Sequence, residues 1–267
     1  MLIVILALGE ITRRWPFESD ASNGAAFTLA LREPPMNGDS LGLKTWGSSY
    51  VLAQLLPTFS SPGAPLAHLL DPHPRGDQPP LQVLELGSGT GLLGLAAACI
   101  WGVHVVLTDL PGILPNLANN ASLNRETVEA QRGSVEAAAL TWGGTDEAEV
   151  DPCFTIGKRY QLIIVADPLY DDDHPALLAS TIHAQLGISP EARVLAMVPQ
   201  RDEITKGLLR MLRTELACQS APLVCVQEST VEGHDGDWGD NGDDDDSQRV
   251  GFWWGVFKRE PSVSTES

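Results

Sequence analysis

The chain of 267 residues is 43% hydrophobic and carries a formal net charge of −18, with 35 acidic against 17 basic side chains. That apolar content suits a sizeable core in one large α/β domain, while the acid excess and the lack of a Lys/Arg-rich block argue against a nucleic-acid partner. Four cysteines without a C-x-x-C pair and six scattered histidines point to reduced thiols and to no metal site.

In chain order, the apolar start "MLIVILALG" is too short to span a bilayer and lacks the basic flank of a secretory signal. It reads as a strand, and the expectation is a cytoplasmic, soluble monomer with no membrane association. "AAFTLALRE" is a second strand. Ser48 or Ser49 is expected to cap an amphipathic helix carrying Val51, Leu52, Leu55 and Leu56. Residues 57–80, rich in Pro and Gly, read as a surface connection with a helical turn at "LAHLL". Residues 1–45 are therefore an amino-terminal extension, whose Trp15, Phe17 and Pro34-Pro35 are candidates to cover a site in the main domain, 46–267.

From residue 81 onward, strands and helices alternate. "LQVLELG" is a buried strand, "GLLGLAAACIWG" a helix ended by Gly102, "HVVLTDL" a strand and "GILPNLANNASLN" a helix. "SVEAAALTW" contains a strand. "YQLIIVADP" is another, followed by the helix "HPALLASTIHAQLG", the strand "ARVLAMVPQ" and the amphipathic helix "EITKGLLRMLRTELAC". This alternation implies parallel strands joined by right-handed crossovers, with helices on both faces. "LVCVQES" and "RVGFWWGVFKR" have no helix between them and should pair antiparallel. The fold class expected is thus α/β, a Rossmann-like sheet of seven mostly parallel strands ending in an antiparallel hairpin, as in class I methyltransferases. Between those last strands, "EGHDGDWGDNGDDDD" (232–246) holds eight acidic residues and reads as a solvated hairpin loop.

"LELGSGTGLLGL" places Glu85, Gly87, Ser88, Gly89 and Gly91 at the seam between the first main strand and helix, where open α/β sheets bind ligands. Such a turn serves a dinucleotide, S-adenosylmethionine or no ligand at all. Three features favour S-adenosylmethionine. The spacing fails G-x-G-x-x-G at Leu92. Glu85 suits a ligand bearing an amine and a sulfonium better than a pyrophosphate. Asp109, with Leu110 beside it, ends the next strand where a carboxylate can accept both ribose hydroxyls; the plainer role for Asp109 is a helix cap.

"VLELGSGTGLLGLAAA", "VVLTDL", "NLANNASLN", "LTWGG" and "ADPLY", in that order, resemble the seven-strand protein-lysine methyltransferases that modify chaperones, elongation factors and other non-histone proteins. The proline after the aspartate and "DDDHP" after the tyrosine look most like the fungal enzymes acting on translation elongation factor 2. The resemblance implies S-adenosylmethionine as cofactor, S-adenosylhomocysteine as product and a protein lysine as acceptor. It places Trp46 near the donor, Trp142 beside the adenine and Ala166 backbone at the cofactor, and it makes Asp167 and Tyr170 the catalytic pair. Physically, a lysine with an ordinary pKa near 10.4 must lose its proton in a snug channel before it can attack a methyl. Tyr170 can wall that channel and attract the ammonium through its ring, and Asp167 can position the tyrosine loop or accept a bond from the amine. "DPLY" also lies one residue from the Asp-Pro-Pro-aromatic site of base methyltransferases, so a nucleic-acid or small-molecule nitrogen is the alternative acceptor. A binding-only relative is the third possibility.

Overall fold

The computed structural model describes residues 10–18, 25–35, 41–70, 80–144, 148–155, 159–218, 221–234 and 249–260. The expected strand at 1–9 and most of the acidic stretch lie outside the described residues.

Two antiparallel strands come first, β1 (Ile11–Phe17) and β2 (Phe27–Glu33), forming a sheet of their own. Trp15 and Phe17 do not reach the ligand cleft described below. Both are buried in the core, where their rings lie 4.9 and 6.3 Å from that of Tyr50, because a large apolar ring gains more from full burial than from a wet rim. Helix α1 (Gly47–Ser60) follows with Pro57 inside it. The expected serine cap is absent: Trp46 is the cap position, without a side-chain cap bond, and Ser49 Oγ instead donates to the Trp46 carbonyl at 2.7 Å.

The main sheet contains β3 (Gln82–Leu86), β4 (His104–Asp109), β5 (Ser134–Ala139), β6 (Leu162–Ala166), β7 (Arg193–Pro199), β8 (Leu223–His234) and β9 (Arg249–Arg259). Their order is β5-β4-β3-β6-β7-β9-β8. The first five run parallel, and β9 inserts antiparallel to both β7 and β8, so the expected terminal hairpin is present. Helices α2 (Leu92–Trp101), α3 (Leu114–Leu123) and α4 (Arg125–Ala130) connect the first strands; a short α5 (Pro152–Thr155), then α6 (His174–Gln185) and α7 (Glu203–Cys218), connect the later ones.

Each face of the sheet has its own core. Leu52, Leu56, Leu93 and Leu117 fill one side together with Leu29 and Leu31 of the hairpin, while Leu178, Ile182, Leu208 and Leu212 fill the other. Helix α2 is buried along Leu92–Cys99 because it is sandwiched on all sides, which explains its unbroken apolar sequence. Helix α7 has one wet face, and its buried Thr205, Leu208, Leu209, Leu212 and Leu216 follow the helical period.

The amino-terminal hairpin is fastened through amides. Asn120 accepts the Arg32 N–H at 2.8 Å and donates to the Arg32 and Thr90 carbonyls; Asn124 accepts the Ala30 N–H and donates to the Ala30 carbonyl, both at 2.8 Å. Asn116 also donates to the Arg32 carbonyl. Side chains of α3 and of Asn124 at its end thereby replace the strand that would otherwise lie beside β2.

Candidate active site

Strand order reverses between β3 and β6: β4 and β5 extend the sheet one way, β7 the other. The carboxyl ends of these strands leave a crevice at such a point. A cavity of about 290 Å³ lies there, and its wall includes Trp46, Gly87, Gly89, Asp109, Leu110, Trp142, Ala166, Asp167 and Tyr170. Nine of the twelve site residues expected from the sequence therefore meet in one cavity. Glu85, Ser88 and Gly91 stand behind that wall.

The turn after β3 can pass so close to the cavity because Gly87 has φ +69° and no side chain; a Cβ there would sit 3.1 Å from Trp142 Cζ2. Asp109 braces the turn, its Oδ2 accepting the Gly89 N–H and its Oδ1 the Leu110 N–H, both at 2.7 Å. Asp109 does not cap α3, whose cap position is Ile113. Burial raises the Asp109 pKa, against the opposing pull of these two N–H groups. Each carboxylate oxygen keeps acceptor capacity beyond its single N–H bond, enough for a vicinal diol.

Glu85 is buried under α2, and its Oε2 has no hydrogen-bond partner among the described residues. Burial pushes its carboxyl up to about 8, with the Ser88 hydroxyl pulling down and the Asp109 charge pushing further up. Gly94 makes room for it: any Cβ at 94 would overlap Glu85 Oε2 and Leu107 Cδ2.

The open end of the cavity is aromatic. Trp142 and Tyr170 both meet His174 edge-on, with ring centroids 5.5 and 4.2 Å away, and His174 Nδ1 lies 3.0 Å from the Pro168 carbonyl. A carbonyl only accepts, so Nδ1 carries the proton in that bond. Tyr170 is 60% exposed, and partial burial followed by the charges of Asp109, Asp171 and Asp167 raises its phenol pKa, keeping it neutral around pH 7. Trp46 is held by its Nε1–H to the Leu41 carbonyl at 3.0 Å, and the Arg201 guanidinium lies 5.7 Å from its ring centroid.

Sequence reasoning missed His174, Arg201 and the Leu41–Gly42 turn as wall residues. The histidine was visible in "DDDHP", four residues beyond Tyr170 and at the start of α6. Nothing local marks Arg201.

An adenosine carrying an amino-acid chain and a sulfonium fits this donor set. The acceptors at Asp109 match a diol, the Thr141 hydroxyl, whose Oγ1 has no partner among the described residues, can bond a ring nitrogen, and Trp142 offers a flat face. The carboxyl of Glu85 adds negative potential behind the turn when ionised.

A family model described as lysine methyltransferase matches residues 26–215. Over 228 residues the chain is 32% identical to the protein-lysine N-methyltransferase EFM2 of Saccharomyces cerevisiae, covering 79% of this chain and 49% of that one. It is 36% identical over 154 residues to the protein-lysine N-methyltransferase rrg1 of Schizosaccharomyces pombe, covering 58% and 45%. The chain thus spans about half the length of these relatives. A crystal structure of a SAM-dependent methyltransferase from Agrobacterium tumefaciens shares the fold, with a TM-score of 0.50, 14% identity, and 92% and 70% of the two chains covered.

Proposed function

The chain belongs to the lysine methyltransferase family, and from that premise we propose that it moves a methyl group from S-adenosylmethionine to the side-chain nitrogen of a lysine in a non-histone protein. The observation that carries the proposal is the single cavity in which Asp109 and Trp142 meet Asp167 and Tyr170 at the carboxyl ends of β3, β4 and β6.

When bound, S-adenosylmethionine supplies a methyl group made electrophilic by its sulfonium. In this reading Asp109 and Thr141 hold the nucleoside end, and Trp142 covers the purine and excludes water. Trp46 and Tyr170 form an aromatic collar around the incoming lysine. The Tyr170 ring attracts the charged ammonium at the mouth. Deeper in the collar, lost hydration disfavours the charged form, so the amine sheds its proton towards solvent and presents its lone pair. Orientation then supplies most of the acceleration, since the nucleophile and the methyl are held in line.

A translation elongation factor in the cytoplasm is the proposed substrate. The support is the resemblance of "ADPLY" and "DDDHP" to the fungal enzymes of that specificity, together with the printed name of one matching relative, the EEF1A lysine methyltransferase 3 of Xenopus tropicalis. The test is tritiated S-adenosylmethionine in extract of cells lacking this protein, with wild type or Tyr170→Ala added. A discrete protein band that needs wild type and survives nuclease supports the reading, and mass spectrometry then names the lysine. Tyr170→Ala should lower turnover by about 100-fold through lost positioning. Label that survives protease but not nuclease would transfer the site to base methylation and overturn the proposal.

A further inference from the structure

Asp167 sits with φ +54°, in the left-handed region that a residue other than glycine enters at a cost. What holds it there is visible on both sides of the backbone. Its N–H donates to the Met197 carbonyl of β7 at 3.0 Å. Its carboxylate receives both arms of Arg201, Nη1 to Oδ1 at 2.9 Å and Nη2 to Oδ2 at 2.6 Å. The carboxylate is nearly enclosed while the guanidinium is part-exposed, and one partner of such a pair left alone is poorly solvated.

Arg201 is itself fixed. The preceding Gln200 N–H bonds the Gly251 carbonyl of β9 at 2.7 Å, and the following Asp202 accepts the Thr205 N–H at 2.7 Å in the first turn of α7. The guanidinium also rests against the Trp46 ring. One side chain therefore ties the ends of β6 and β7 to the aromatic collar.

We infer that Arg201 is a positioning residue of the methyl-transfer site, which locks Asp167 in its strained conformation and thereby sets Ala166 and Tyr170 at the cavity wall. It follows that Asp167 acts as the anchor of this lock and not as the group that takes the ammonium proton. The inference rests on the methyl-transfer reading for its kinetic arm, but its backbone arm does not.

The experiment compares Arg201→Ala, Arg201→Lys, Asp167→Asn and the double variant Arg201→Ala/Asp167→Asn. Hydrogen exchange over peptides containing residues 166–174 is read first, without substrate. Exchange should accelerate in Arg201→Ala and Asp167→Asn alike, and no further in the double variant. With a labelled protein substrate, Arg201→Ala should lose about 100-fold in kcat, with KM and the donor Kd within about 3-fold of wild type. Arg201→Lys, which keeps the charge but not the two-armed geometry, should fall between. Unchanged exchange in Arg201→Ala overturns the inference, as do losses that multiply in the double variant. If wild type methylates no protein, the functional proposal fails while the exchange result still decides whether Arg201 locks the loop.

Discussion

Replacing Glu85 by Gln tests the electrostatics behind the glycine turn. In the folded chain the carboxyl is pushed from 4.5 to about 8, chiefly by burial. The folded state therefore keeps this proton to higher pH than the unfolded chain does. Its stability is greatest below about pH 4.5 and falls as pH rises towards about 8. At about 1.36 kcal/mol per pH unit the full effect is about 5 kcal/mol, a ceiling because water entry and relaxation relieve a buried carboxylate. Glutamine has nearly the same shape and no proton to lose, so it removes this dependence. Urea unfolding of ligand-free protein from pH 5 to 8.5 should show wild type losing stability relative to Glu85→Gln, by more than 1 kcal/mol over the range. The difference between the two proteins cancels the other titrating groups. Curves that stay parallel within about 0.5 kcal/mol would refute the reasoning and mean that Glu85 is far better solvated or bonded than its enclosed Oε2 implies.

Trp142→Ala should weaken S-adenosylmethionine binding by about 10- to 100-fold, the worth of one lost stacking face; calorimetry reads it, and an unchanged Kd would remove Trp142 from the purine site. Asn120→Ala should destabilise the protein by about 1 to 3 kcal/mol, because the part-buried Arg32 N–H and the buried Thr90 carbonyl lose a shared partner. Thermal unfolding checks this, with a fall of less than about 2 °C counting against the amide clamp.

The strands of the main sheet were legible because each is a short apolar run set off by glycine, aspartate or proline, as "VLELG" and "VVLTD" are. The terminal hairpin was legible from a missing crossover. Ser48 and Ser49 misled, since a serine near a helix start is only a candidate cap, and the chain enters α1 with a glycine already helical. Arg201 was invisible because its partner is 34 residues away in sequence and the pairing exists only once β6 and β7 lie side by side. The amide clamp left a trace: Asn116, Asn120 and Asn124 recur at every fourth position, along one face of α3 and into its cap, in a helix that asparagine does not favour. Such a face has to be bonding something, but the sequence does not say that the partner is a strand some ninety residues earlier.

That clamp also bears on solubility. A two-stranded ribbon exposes an edge on each side, and an open edge of free N–H and C=O groups is a template on which another chain can add. On β2 the outward-facing groups of Ala30 and Arg32 are already bonded to Asn120 and Asn124. The edge is closed with side-chain amides, without charge and without another strand. Conditions that loosen α3 would thus release a β-edge as well as a hairpin, and self-association should begin there before the main sheet melts.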